Sequence, residues 1–207
     1  MSRRTNTGRV TLIIDFYFDF ISPYSYLAST RMPLFEQAHA VRVNWLPVNL
    51  PKLIELSGNT PPGMIRNKAL YSLRDLKRWA AYLNLPFKMI KPGTFDSRPA
   101  MRIAMALEGE ERALFSQAVF SSIWSGEIDP RAEGWLKQVV TAHRLPADWL
   151  ALASDKLDDN TETALKDGAF GVPTFILHSG RRSEIFFGID HMDFLARACK
   201  EATRSRS

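Results

Sequence analysis

A run of alternating apolar and polar residues from Val10 to Phe20 leads directly into a helix start at Ser22-Pro23. The alternation has the period of two that predicts a β-strand with one apolar face. Serine at the N-cap and proline at the first helical position form a strong signal for a helix N-terminus. The sequence therefore predicts a strand whose carboxyl end lies against the start of a helix.

A second strand is predicted from Val41 to about Leu46, again from alternation. The helix before it is expected to run to about His39 with a kink at Pro33, because a proline inside a helix removes a backbone donor. A β-α-β unit of this kind joins parallel strands by a right-handed crossover. Residues 50 to 62 are predicted to form a loop, since they end in a cluster of turn residues.

Residues 67–166 are predicted to be helical, because apolar residues recur there three and four positions apart. The strand pattern returns at 174–177 and 184–187 around a turn at Ser179-Gly180, which predicts a hairpin. A last helix is predicted over about 191–203. The residues expected to face inward from it are Phe194, Leu195, Ala198 and Cys199.

The resulting order is β-α-β, a helical block, and then β-β-α. Without the block, the strands close into one small sheet covered by helices, which is the thioredoxin fold. The sequence therefore predicts an α/β, thioredoxin-like fold with an all-helical insertion. We expect residues 10–66 and 167–204 to form a discontinuous thioredoxin-like domain, and residues 67–166 to form the insertion domain.

The net charge of the 207-residue chain is +5, and much of the excess falls in its two tails. The arginines of these tails are Arg3, Arg4, Arg9, Arg204 and Arg206. A basic patch interleaved with aromatic residues is lacking, so no nucleic-acid partner is predicted, although the charge favours an anionic substrate. No apolar run approaches the roughly 20 residues of a membrane span, so no membrane association is predicted.

The chain has one cysteine, Cys199, which excludes an intrachain disulfide and suits a reducing compartment. We therefore expect a cytoplasmic protein. Cys199 falls on an apolar stripe and is interpreted as a packing residue. The four histidines are scattered without the spacing of metal ligands, so no metal site is predicted.

Ser22-Pro23-Tyr24-Ser25 lies where thioredoxin-fold oxidoreductases carry Cys-x-x-Cys. Serine at both cysteine positions excludes dithiol exchange. The unpaired backbone N–H groups of a helix start and a hydroxyl still suit a sulfur anion supplied by a ligand. Lowering a thiol pKa from about 8.5 by two units needs about 2.7 kcal/mol, which is within reach of these donors. The alternative is that Ser22 serves only as an N-cap.

Val172-Pro173 precedes a predicted buried strand, and its simplest interpretation is a proline at a strand entry. In the thioredoxin fold this position holds a cis proline that faces the Cys-x-x-Cys helix. The backbone of the residue before it, here Val172, can pair with a peptide ligand as an added strand. Glutathione is a peptide of this kind.

Five segments together resemble one family. They are IDFYFDFISPYSYLAS, SGNTPPG, NKALYSLRDLKR, GAFGVPTF and FGIDHMDFL. In this order they resemble the 2-hydroxychromene-2-carboxylate isomerase family, which is related to kappa-class glutathione transferases and to DsbA-like proteins. The resemblance covers about residues 10 to 200.

The resemblance implies a binding site for reduced glutathione. By position, Ser22 would hydrogen-bond the sulfur, Val172 and Pro173 would face the cysteinyl backbone, and Asn59 would flank the tripeptide. Asp190 would bind the γ-glutamyl amine, although it could instead cap the last helix. The chain has His191 next, where the family commonly has arginine.

The resemblance also implies a site for a small aromatic or conjugated carboxylate. Lys68 and Arg66 would hold the carboxylate, and Tyr71 would lie at the mouth of the cleft. The alternative for Lys68 is a solvated lysine on a helix. The expected assembly is a homodimer.

The implied activity is a glutathione-dependent cis-trans isomerisation of 2-hydroxychromene-2-carboxylate to trans-o-hydroxybenzylidenepyruvate, through reversible addition of the glutathione thiolate. Two alternatives stay open. One is a kappa-class glutathione transferase or peroxidase, with the same site and another electrophile. The other is a binding protein without catalytic activity that has kept the fold and lost the thiols.

Overall fold

The computed structural model describes residues 12–91, 93–180 and 182–204, and its centre is a four-stranded mixed sheet. The strands are β1 (Leu12–Phe18), β2 (Val41–Pro47), β3 (Thr174–Ser179) and β4 (Arg182–Phe187). Their order is β2-β1-β3-β4, with β2 parallel to β1, β3 antiparallel to β1, and β4 antiparallel to β3. The predicted parallel pairing of β1 with β2 and the predicted hairpin of β3 and β4 are therefore confirmed. Val10 and Thr11, at the start of the predicted first strand, lie outside the described residues.

Helices surround this sheet. They are α1 (Pro23–Ser29), α2 (Met32–His39), α3 (Leu50–Ser57), α4 (Arg66–Tyr82), α5 (Arg98–Ala106), α6 (Gly109–Ser125), α7 (Trp135–Ala142), α8 (Leu157–Lys166) and α9 (Met192–Arg204). Short 3-10 turns occupy Pro62–Met64, Ala147–Ala151 and Ile189–His191. The helical character predicted for the middle of the chain is confirmed. Within the described ranges, no helix is both long and apolar enough to cross a bilayer.

The two faces of the sheet bury different cores. One face packs against α1, α2, α5, α6 and α9 and is rich in aromatic rings, with Phe18 stacked on Phe16 at 5.4 Å and beside Phe120 of α6 at 5.5 Å between ring centroids. The other face packs Tyr17 and Ile176 against α3 and α8. Helices cover both faces, so the sheet is the middle layer of three. This packing fixes the positions of the strand ends.

The single kinked helix expected over residues 23–39 is wrong, because the structure has two helices there. α1 ends at Ser29 and α2 begins at Met32. Pro33 lies in the first turn of α2, where its missing N–H would have had no helical partner. The proline therefore starts a new helix instead of bending an existing one.

The loop expected over residues 50–62 is also wrong in its first half, where α3 forms. Asn49 caps this helix by accepting a hydrogen bond from the Lys52 N–H at 3.3 Å, and Gly58 ends it at φ +66°. Of its residues only Leu53 is fully buried. An apolar stripe this thin gives no clear periodicity, although the cap, Pro51 and Gly58 were helix signals in the sequence.

The last helix differs in which face it buries. Met192, Leu195 and Cys199 face inward, whereas Phe194 is 60% exposed and contradicts the prediction. The buried residues are spaced by three and four, and Phe194 lies one position off that stripe. Its ring instead lies near that of His191, 5.7 Å away between centroids.

Candidate active site

Ser22 lies at the junction between β1 and α1, as the sequence predicts. Its backbone is extended, and its Oγ accepts a hydrogen bond from the Ser25 N–H at 3.1 Å. The residue is only 5% exposed. Ser22 is therefore an N-cap. The bond from Ser25 uses one lone pair of the Ser22 oxygen, so the O–H of Ser22 remains able to donate.

The peptide bond between Val172 and Pro173 is cis, and it faces Ser22 across 150 residues of sequence. The Ser22 Oγ lies 3.5 Å from the Val172 carbonyl oxygen, at the outer limit of a hydrogen bond. The fold thus brings together the two sequence signals that predicted the site. Their separation leaves the Ser22 hydroxyl with a weak acceptor.

Asn59 joins the loop after α3 to the segment that precedes the cis peptide bond. Its Nδ2 donates to the Phe170 carbonyl oxygen at 2.8 Å, and its Oδ1 accepts from the Thr60 N–H at 2.7 Å. Gly171 follows, and a Cβ there would lie 3.0 Å from the Phe187 ring. Asn59 therefore supports the chain beside Val172, and its predicted contact with a ligand stays a prediction.

Asp190 lies in the 3-10 turn before α9, inside the turn and not at its N-cap, which is Gly188. The Gly188 N–H donates to the Pro173 carbonyl oxygen at 2.9 Å, which ties this turn to the cis proline. The Asp190 side chain is 67% exposed and its Oδ1 lies 3.8 Å from His191 Nδ1. A carboxylate in this position is open to a cationic group of a ligand.

A cleft of about 390 Å³ opens beside α4. Its lining residues are Pro62, Asn67, Lys68, Tyr71 and Ser72. Lys68 and Tyr71, both predicted from the resemblance, therefore share one cavity. Arg66 is exposed at the first position of α4 and is not among the residues lining this cleft. Asn67 and Ser72 were missed, although their spacing from Lys68 and Tyr71 places all four on one side of a helix.

Tyr24 connects the helix of Ser22 to this cleft. Its hydroxyl donates to Asp75 of α4 at 3.1 Å. Burial raises the pKa of Tyr24 to about 12, and the nearby carboxylate of Asp75 adds to that effect, while Ser72 opposes it. The phenol therefore keeps its proton near neutral pH and serves as a fixed donor between α1 and α4.

Asp19 is a residue of the site that the sequence reasoning missed. Its side chain is 1% exposed, and its carboxylate accepts hydrogen bonds from Ile21, Leu50 and Ser97. Desolvation raises the pKa of this carboxyl, and the hydrogen bonds oppose the change. The available signal was a carboxylate at the end of an apolar strand, three residues before Ser22.

The site has no thiol of its own. Cys199, the one cysteine of the sequence, is buried on α9, and burial raises the pKa of its thiol to about 11. Throughout the part of the chain that the structure describes, no three His, Cys, Asp or Glu side chains are grouped as metal ligands. The Ser22 hydroxyl has a hydrogen to donate, but a thiol that received it would have to come from a ligand.

These features define a thioredoxin-fold protein in which serines replace both cysteines of the redox motif. The chain belongs to the family of DSBA-like thioredoxin domains, which matches residues 13–200. The family match and the sheet order together confirm the predicted fold class.

Similar proteins include members of both groups that the motifs resemble. The 2-hydroxychromene-2-carboxylate isomerase of Sphingobium xenophagum is 30% identical over 195 residues, which are 90% of this chain and 97% of that protein. Glutathione S-transferase kappa 1 of Rattus norvegicus is 25% identical over 209 residues, 91% of each chain. A solved 2-hydroxychromene-2-carboxylate isomerase superposes with a TM-score of 0.78 at 27% identity, over 94% of this chain and 97% of that one. The resemblance is confirmed.

Proposed function

We propose that this protein is a glutathione-dependent isomerase that converts 2-hydroxychromene-2-carboxylate to trans-o-hydroxybenzylidenepyruvate. The observation that carries the proposal is the hydroxyl of a helix-capping serine that faces a cis proline in a site without a thiol. Full-length similarity to isomerases of that name supports the reaction.

The residues present fit a glutathione molecule laid along Val172. Val172 is the residue before the cis proline, where the thioredoxin fold can pair its backbone with an extended peptide. The exposed carboxylate of Asp190 lies in a turn bonded to Pro173 and suits the γ-glutamyl ammonium. Asn59 supports the segment that leads to Val172 through its hydrogen bond to the Phe170 carbonyl oxygen.

Ser22 would direct its O–H toward the ligand sulfur. Its Oγ already accepts a hydrogen bond from the Ser25 N–H, and its contact with the Val172 oxygen is weak at 3.5 Å. Donation to a thiolate is a charge-assisted hydrogen bond, about twice as strong as one between neutral groups. Bound glutathione would supply the nucleophilic sulfur that adds to the conjugated substrate and is then eliminated.

The α4 cleft would hold the substrate. Lys68 places an ammonium on its wall for the carboxylate, and Tyr71 offers an aromatic surface for the ring. Arg66, at the start of the same helix, could approach the carboxylate from outside the cleft. The Tyr24–Asp75 hydrogen bond keeps this wall at a fixed distance from α1.

Two other functions use the same residues. A kappa-class transferase or peroxidase is supported by the similarity to the rat enzyme, and it would present the thiolate to another electrophile. A binding protein without activity would lower no thiol pKa. We further propose a homodimer acting in the cytoplasm on a product of aromatic degradation, with neither nucleic acid nor membrane as a partner.

The test is the isomerisation rate of 2-hydroxychromene-2-carboxylate with and without reduced glutathione. We expect turnover only with glutathione, and a loss on the order of 10- to 1000-fold in Ser22→Ala. Ser29→Ala is the matched control, because Ser29 is a buried serine of the same helix whose hydroxyl bonds the Tyr26 carbonyl oxygen. Glutathione binding without isomerisation would point to the transferase, and wild-type turnover in Ser22→Ala would refute the role of Ser22.

A further inference from the structure

Asp19 is a buried acidic side chain three residues before Ser22, and the proposed chemistry does not use it. Its side chain is buried. Its backbone lies at the edge of the site, because the Ser22 N–H donates to the Asp19 carbonyl oxygen at 3.0 Å. Among the described residues, no Lys, Arg or His side chain forms an ion pair with it. Its carboxylate depends on hydrogen bonds alone.

Both oxygens of the Asp19 carboxylate act as hydrogen-bond acceptors. Oδ1 accepts from the Ile21 N–H at 3.1 Å and from the Ser97 hydroxyl at 2.7 Å, and Oδ2 accepts from the Leu50 N–H at 2.9 Å. The Ile21 and Leu50 N–H groups cannot accept a hydrogen bond, so a protonated Asp19 could donate only to the Ser97 oxygen, and only if the Ser97 hydroxyl turned its own hydrogen away. The arrangement therefore fits the ionised form of Asp19.

The three donors belong to three segments of the chain. Ile21 lies in the turn that precedes Ser22, and the hydrogen bond from its N–H to the Asp19 carboxylate closes an Asx-type turn. Leu50 is the first residue of α3, the helix that leads to the Asn59 loop. Ser97 is the residue before α5. One carboxylate thus fixes the position of the N-cap serine relative to two helices.

Burial disfavours the charged form of this carboxylate, and its three hydrogen bonds oppose that effect. Burial, with a smaller effect of Asp96, raises the pKa of Asp19 above its value in the unfolded chain. The native state therefore binds the proton more tightly, and its stability falls as pH rises through the unfolded pKa toward the folded one. A charge that is disfavoured by burial and lies beside a site is typical of a functional role.

We propose that Asp19 is a positioning residue, whose carboxylate holds the turn before Ser22 in the orientation that aims the serine hydroxyl at the ligand sulfur. This role rests on the proposed function. It makes Asp19 necessary for lowering the thiol pKa of bound glutathione, although Asp19 touches neither glutathione nor substrate.

The main test is Asp19→Asn, which keeps the shape but turns one acceptor into a donor facing a donor. We expect kcat to fall about 10-fold or more, as misplacement of a catalytic group does. The thiol pKa of bound glutathione should rise toward the free value of about 8.5, and the melting temperature should fall because a buried donor then faces another donor. Ser97→Ala removes only one donor and should give a smaller change of the same sign, which keeps the test available should Asp19→Asn fail to fold.

Asp15→Asn is the matched control. Asp15 lies on β1, four residues before Asp19. Its carboxylate accepts hydrogen bonds from Asn44 Nδ2 at 2.8 Å and from His178 Nε2 at 2.7 Å. Its loss should lower the melting temperature and leave kcat unchanged. Wild-type kcat and thiol pKa in both Asp19→Asn and Ser97→Ala would overturn the positioning role alone. No effect of glutathione on the wild-type protein would overturn the proposed function, and this role with it.

Discussion

The two hydrogen-bonding roles of Ser22 can be separated by substitution. Aspartate is an equally good N-cap, so Ser22→Asp should keep the Ser25 N–H bonded and hold α1 in place. It has no hydroxyl to donate at neutral pH, and its charge repels a thiolate. We expect α1 to stay capped, with a melting temperature lowered by burial of the new charge near the Val172 carbonyl oxygen, and a loss of turnover at least as large as in Ser22→Ala. Thermal unfolding and steady-state kinetics measure the two effects, and an active Ser22→Asp enzyme would contradict the donor role.

Cys199 provides a test of whether the chain has its own reactive sulfur. Its pKa is raised to about 11 by burial, so only about one thiol in a thousand is ionised at pH 8. We expect the native protein to react with a thiol reagent far more slowly than the denatured protein, and Cys199→Ala to keep its turnover. Rapid modification that abolishes turnover would mean that the protein supplies its own sulfur.

At the scale of elements, Arg112 joins α5 to the sheet. Its Nε donates to the Ala104 and Leu107 carbonyl oxygens at 2.8 and 2.7 Å, and its Nη1 donates to the Trp45 carbonyl oxygen of β2 at 3.0 Å. The single ammonium of a lysine cannot reproduce the several N–H donors of the Arg112 guanidinium. We expect Arg112→Lys to lower the free energy of unfolding by about 2 kcal/mol, because carbonyl groups at the end of α5 lose their partners.

Denaturant unfolding measures this loss, and Arg131→Lys is its control. Arg131 is exposed and pairs with Asp129, two residues away in the same turn, at 2.7 Å. An exposed pair of this kind contributes about 0–1 kcal/mol. Equal stabilities of Arg112→Lys and Arg131→Lys would mean that the Arg112 guanidinium does not anchor α5.

Local signals predicted much of the site, and distant contacts explain what they missed. Ser22-Pro23 and Val172-Pro173 each carry their signal within a few residues, so each could be placed from sequence. Asp19 carried a weaker local signal, a carboxylate at the end of an apolar strand, but its role could not be predicted because its partners Leu50 and Ser97 lie 31 and 78 residues away. On α9, Leu195 and Cys199 face inward as predicted, whereas the prediction for Phe194 was wrong because the buried stripe begins at Met192.

At the scale of the whole molecule, the helical block and the sheet share one core. Phe20 packs on Phe120 of α6, 4.8 Å between ring centroids, and its carbonyl oxygen accepts from Trp124 Nε1 at 3.0 Å. We therefore expect the predicted domains, 10–66 with 167–204 and 67–166, to unfold in one transition.

Tryptophan fluorescence can test this cooperativity, because four of the five tryptophans belong to residues 67–166 and only Trp45 lies in the sheet. In Trp45→Phe, whose four remaining tryptophans all report on residues 67–166, thermal unfolding followed by fluorescence should coincide with that of the same protein followed by far-ultraviolet circular dichroism, which reports on the whole chain. Two separate midpoints would show that the insertion folds as an independent domain.

The central claim is that this protein lowers the pKa of the thiol of bound glutathione. Titration of reduced glutathione into the protein, followed by ultraviolet absorbance of the thiolate across a pH series, measures the claim directly. We predict that the bound thiol titrates about two units below the free value of about 8.5, and that Ser22→Ala moves it back toward that value. A bound thiol with the pKa of free glutathione in the wild-type protein would contradict the account.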